Sequence, residues 1–193
     1  MASQARYHTV SIILHWLMAV LIIGMWLLGK AMADDDWGAL LGVVAEDKGS
    51  LYALHKATGM LLLCLTVVRM AWRMTHKPPA LPAALPKHIA MAAAAVHALM
   101  YGLMLGLPLT GWIMSSANPT RPPISQYGLF DWPRLPVENF VADAAGAGRL
   151  MNQSHEFLST LLALLLALHV GAVVYHTVIR RDGMLSRMVP ARR

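Results

Sequence analysis

His155 and His169 stand fourteen residues apart in one apolar stretch. At about 100° per residue, fourteen steps of an α-helix return to within roughly 40° of the same face and climb about 21 Å. A hydrocarbon core is about 30 Å thick, so this spacing puts one imidazole near each of its sides. Ionisable side chains are costly in lipid and mark functional sites by default. Two imidazoles stacked on one face suit the axial ligation of two separate haems. Neutral imidazole nitrogen binds iron, and filling both axial positions favours electron transfer over capture of small ligands.

The rest of the chain must supply partners at both depths. Its 193 residues are 57% hydrophobic and 13% charged, against about 25% charge in a soluble domain. With a mean hydropathy of +0.51, this composition describes an all-α integral membrane protein, expected to be one domain over residues 1–193. The lone Cys64 excludes a disulfide framework. The net charge of +6 reflects topology rather than nucleic acid, because no basic stripe interleaved with aromatics is present. No cleavable leader is expected: the first apolar run is too long for a signal h-region. Fourteen methionines suit soft packing around helices or a flat macrocycle.

Four segments are long enough to span the bilayer, at about 10–28, 51–72, 89–114 and 157–179. Lipid cannot satisfy backbone polar groups, so these must be helices. Residues 31–49 read as an acidic loop and residues 73–88 as a proline-rich basic loop. Residues 115–154 read as a long loop broken by Gly146 and Gly148. With both termini in the cytoplasm, ten Lys/Arg lie inside: Arg6, Arg69, Arg73, Lys77, Lys87, Arg180, Arg181, Arg187, Arg192 and Arg193. Six lie outside: Lys30, Lys48, Lys56, Arg121, Arg134 and Arg149. The positive-inside rule therefore predicts a four-transmembrane-helix bundle, N-in/C-in.

This topology sorts the histidines by depth. His15 pairs with His169 toward the cytoplasm, and His55 with His155, which opens the fourth helix, toward the outside. Each pair could hold a haem in the bundle interior. Gly24, Gly59, Ala163 and Gly171 are small enough to admit the ring. Intramembrane histidine can also serve as interhelical polar glue. A zinc site or proton pathway is a weaker rival, since no cysteine or carboxylate accompanies these histidines in the membrane. His97 shares the depth of His15 and His169; it could replace a ligand, or stand behind one or beside a quinone. His176, seven residues past His169, could exchange protons with a quinone or merely sit at the headgroups. Arg69, fourteen residues past His55, could bind a haem propionate or anchor the cytoplasmic side. Lys56, with Arg149 and Lys30, could form a cationic mouth that speeds capture of a small anion; each could equally snorkel to the interface.

The segments "ILHWLMAVL", "ALHKATGMLLL…VVRMAWR", "HALMYGLMLGLPLTGW" and "SHEFLSTLLALLLALHV", with a basic tail "LSRMVPARR", together resemble the bacterial cytochrome b561 family over nearly the whole chain. The resemblance implies a four-helix bundle with two b-type haems in the bacterial inner membrane. Its ligand positions match His15, His55, His155 and His169. Some members resemble a superoxide oxidase, taking electrons from superoxide outside and reducing ubiquinone in the membrane. Carried over, this makes Lys56 and Arg149 superoxide-facing and His176, with His97, quinone-side. The acidic run Asp34–Asp36 departs from that pattern, and a negative loop near the mouth would slow an anion.

The chain is thus expected to be a di-haem electron-transfer protein with superoxide:ubiquinone oxidoreductase activity. A haem-bearing anchor subunit, passing electrons between a hydrogenase- or dehydrogenase-type partner and quinone, is the alternative. A haem-free transporter or scaffold is a further one.

Overall fold

Lipid leaves the backbone no partner but itself, and the four apolar runs fold accordingly. The computed structural model describes residues 6–80 and 86–189, the side chain of Ala45 excepted. Pro82, Arg192, Arg193 and the last residues of the basic tail lie outside the described residues. Four long helices are long and apolar enough to cross a membrane. They are α1 (Thr9–Ala33), α3 (Lys48–Thr75), α4 (Lys87–Ser116) and α5 (Ala144–Val174), the last prolonged by a π-helical turn over Tyr175–Arg180. A short α2 (Asp35–Leu40) lies between α1 and α3. Among the described residues the only β pairing is an isolated bridge between Ser125 and Asp131.

Each helix outruns the expected span, and α5 does so most. It starts at Ala144, not near residue 157, so His155 lies three turns inside it rather than at its opening. The Asp143 side chain accepts from the Gly146 N–H at 2.7 Å and starts the helix. A Cβ at residue 146 would collide with that carboxylate, so the glycine that reads as a breaker enables the cap. Hydropathy is silent there because these turns mix small, glycine and polar residues. The acidic run is likewise put to use. Asp34 caps α2 by accepting from the Asp36 and Trp37 N–H groups, and Asp35 meets Lys48 at 2.7 Å. That hydrogen bond and the Lys48 charge hold the Asp35 carboxyl below the usual carboxylate range.

Neighbouring helices run antiparallel in the order α1, α3, α4, α5, and a His15–His169 ring contact brings α1 to α5. The buried core is Met18, Leu62 and Met104, packed with Leu21, Ile22, Met25 and Leu65. The fully buried Thr66 hydroxyl donates to the Leu62 carbonyl at 2.7 Å, so it costs little.

The two ends differ. At one, which we term the loop end, residues 117–143 fold across α3 and α4. Gln126 donates to the Ala57 carbonyl and accepts from the Trp132 indole, and the hydroxyls of Tyr127 and Thr58 lie 3.0 Å apart. At the other, the terminal end, the Tyr7 N–H donates to the Arg187 carbonyl. The Trp16 indole donates to the Met188 carbonyl, and the Arg187 guanidinium to the Ala80 carbonyl. The first and last described segments therefore share one side, as an even number of spans requires.

Met18 is fully buried. Met18→Ala should cost about 2–5 kcal/mol through its transfer and cavity terms. Val20→Ala, at a side chain 68% exposed, should cost much less. Thermal melts of the two variants in one detergent check the contrast.

Candidate haem sites

Fourteen-residue spacing recurs on every spanning helix: His15 and Gly29 on α1, His55 and Arg69 on α3, His97 and Gly111 on α4, His155 and His169 on α5. Antiparallel packing gathers these eight positions into two levels. His15, Arg69, His97 and His169 meet at the terminal level. Gly29, His55, Gly111 and His155 meet at the loop level.

At the terminal level the rings of His15 and His169 are 6.2 Å apart, centre to centre, with planes at 69°. Arg69 Nη2 donates to His15 Nδ1 at 3.0 Å. The Arg69 and Arg73 guanidiniums both approach the face of Tyr101, at 5.6 and 5.9 Å. The exposed His97 stands 5.3 Å from His169, and its Nδ1–H donates to the Ala93 carbonyl at 2.6 Å.

At the loop level His55 and His155 are again 6.2 Å apart, with planes at 65°. His155 Nδ1–H donates to the Leu107 carbonyl at 3.0 Å, and the Thr110 oxygen lies 3.1 Å from the same nitrogen. Thr110 donates its own proton to Leu107. A proton held on Nδ1 leaves Nε2 as the nitrogen able to bind a metal. A Cβ on Gly111 would lie 3.6 Å from the His155 ring, and one on Gly29 would lie 3.4 Å from the His55 ring. These two glycines, rather than those expected, flank the imidazoles. At Gly24 and Gly171 a Cβ would meet nothing within 4 Å, and at Gly59 it would face only Met25. His55 Nδ1 is buried and has no hydrogen-bond partner among the described residues.

The three cations expected at a mouth each have a different neighbour. Lys56 is half-buried and feels the charge of Arg121, a neighbour that spacing did not suggest. Arg149 is exposed and lies 3.7 Å from Asp143. Lys30 sits over the Trp26 ring. At the terminal end His176 Nδ1 meets Asp182 Oδ2 at 2.5 Å. Burial pushes the Asp182 carboxyl up. Hydrogen bonds from His176 and the Met184 N–H, with the charges of His176 and Arg180, outweigh it and hold the group below the usual carboxylate range.

The model of a family described as prokaryotic cytochrome b561 matches residues 6–191. The chain belongs to that family. "Cytochrome b561 homolog 2" of Escherichia coli (strain K12) is 31% identical over 184 residues, covering 95% of this chain and 91% of that protein. Membership makes this cytochrome a multi-pass membrane protein, and it implies b-type haem and electron transfer.

The histidines fit that group. An imidazole nitrogen binds a metal at about 2.0 Å. Adding about 1.1 Å from nitrogen to ring centre on each side, two rings in trans on one metal stand about 6 Å apart. Both 6.2 Å pairs have that separation, whereas His97 and His169, at 5.3 Å, fall short of it. Among the described residues no group of three or more His, Cys, Asp or Glu could hold a metal ion between them. Thr110, Gly29 and Gly111 were missed from the sequence. The fourteen-residue recurrence and the "LPLTG" segment were the available signals.

Gly111→Val should push the His155 ring off its seat on Leu107. Haem content of the purified cytochrome should drop by up to half, as read by absorbance of the reduced protein against its protein concentration.

Proposed function

We propose that this cytochrome b561 carries two b-type haems and passes electrons from superoxide at the loop end to ubiquinone near the terminal end. His15 and His169 would hold one haem, His55 and His155 the other. The membrane would be the bacterial inner membrane, with both termini cytoplasmic. The observation that carries this reading is the repetition of one imidazole separation, 6.2 Å, at two levels about 21 Å apart along the helices. Bound haem supplies one-electron chemistry, tuned by its ligands and surroundings.

The chain's own residues divide the remaining work. Leu107 and Thr110 hold His155 in the tautomer that offers Nε2. Arg69 would leave His15 Nδ1, which must carry the proton for Nε2 to bind iron, and would bind a propionate carboxylate instead. Ile22, Leu62, Met104 and Leu162 lie seven residues from each level on their own helices. This apolar layer keeps water and protons from crossing with the charge. Lys56 and Arg121 attract an anion, and the Lys48 ion pair offsets the repelling charge of Asp35. Overall, two superoxide ions each release one electron and leave as O2. Ubiquinone takes two electrons and two protons to become ubiquinol.

Pyridine haemochrome determination should find two haems per chain. His15→Ala and His169→Ala should each leave one haem, and His97→Ala should leave both. Retention of both haems in the first two variants would break the ligand assignment. The isolated protein should reduce quinone with superoxide. Lys56→Ala should lower kcat/KM several-fold at low salt, with the gap narrowing as salt screens the charge. A protein with two haems and no such turnover would favour the anchor-subunit reading.

A further inference from the structure

The end of α5 is built unusually. The helix widens into a π-turn over Tyr175–Arg180, a form often found at functional sites. The chain then reverses through Arg181, in the left-handed region at φ 51°, and through Gly183 at φ 74°. A non-glycine residue holds that conformation only where its surroundings over-determine it. Here they bring Asp182 back onto the helix. The Asp182 N–H donates to the His176 carbonyl at 3.3 Å. Asp182 Oδ1 accepts from the Met184 N–H at 3.2 Å, and Oδ2 faces His176 Nδ1. The side chains of His176 and Asp182 are 14% and 24% exposed, so water reaches the pair without surrounding it. His176 is seven residues from His169, hence on nearly the same face and about 10 Å further toward the terminal end.

We propose that His176 and Asp182 form a proton-delivering dyad for the quinone site, with Asp182 the positioning residue that holds His176 Nδ1–H and leaves Nε2 as the donor. This rests on the quinone reading above. The logic is that of any carboxylate–imidazole pair: the carboxylate selects one tautomer and stabilises the imidazolium without taking its proton. As a quinone oxygen gains negative charge, the His176 Nε2–H bond breaks and an O–H bond forms. Water at the terminal face then returns a proton to Nε2, and Asp182 stays ionised. Two such cycles supply the two protons that accompany two electrons into one quinol.

Several charged and titratable groups among the described residues lie about the dyad. Tyr175 meets the His176 ring edge-on at 5.7 Å. The Arg180 charge acts on Asp182. Arg187, five residues beyond Asp182, is directed at Ala80. His169 shares the α5 face.

The test uses the full-length, haem-loaded protein as wild type, Asp182→Asn, Asp182→Ala and His176→Gln. Asparagine keeps an acceptor for Nδ1–H and removes the charge, so it separates a structural tie from a relay. Nitrogen-15 histidine NMR, with His176→Gln providing the assignment, should show one His176 tautomer in wild type and Asp182→Asn, and a mixture in Asp182→Ala. Reduction of the haems by the donor should be unchanged in all four proteins. Quinone reduction should lose at least about tenfold in kcat in each variant with little change in KM. In Asp182→Asn the alkaline limb of its pH profile should move about one unit lower. An Asp182→Asn protein with the wild-type rate and pH profile overturns the dyad and leaves Asp182 a tie at a helix end. A wild type that takes electrons from the donor yet reduces no quinone removes the acceptor reading, and the dyad's role falls with it.

Discussion

A rigid helix converts a count of residues into a depth, and that conversion governs this molecule. Fourteen residues on each of four antiparallel helices separate His15 from Gly29, His55 from Arg69, His97 from Gly111 and His155 from His169. Equal counts on four rods of equal pitch force two flat levels. The same arithmetic puts Ile22, Leu62, Met104 and Leu162 halfway between them. One apolar layer therefore parts two polar ones. The order of the bundle along the membrane normal comes from helix pitch before any particular contact is made.

The two levels are alike in spacing and unlike in support. His155 has a carbonyl and a hydroxyl on Nδ1, both supplied by the stretch from Leu107 to Gly111. His55 has no partner on Nδ1 among the described residues. His15 is met by a guanidinium, which can only donate. A ring whose second nitrogen donates to a carbonyl is a better electron donor through its first. The four imidazoles therefore differ in their surroundings although their types are identical.

Outside the apolar layer the charges are put to local structural use. Asp34 and Asp143 start helices, Asp35 meets Lys48, and Arg187 ties the end of the chain to the α3–α4 connection. In a bilayer such ties matter because packing between apolar helices gains little from the hydrophobic effect once lipid is the competitor. Hydrogen bonds at the two ends, where water begins, hold the helix positions that the mid-membrane layer leaves loosely specified.

Much of this was legible in the order of the residues. Apolar run length dictates the four spans, because lipid leaves a backbone no other state. Helix pitch dictates that His155 and His169 share a face, and the alternation of helix direction dictates which histidines share a depth. Polar segments were not legible in this way. Residues 144–154 read as loop and fold as helix, since the Asp143 cap and the bare Cα of Gly146 work through contact geometry that hydropathy does not encode. Which small residues flank the rings, which carbonyl orients His155, and that Asp182 returns to His176 depended on chain reversals and side-chain directions. Periodicity along one helix carries the depth of a residue, whereas its partner is set by how that helix is rotated against its neighbours, and only the assembled bundle determines that rotation.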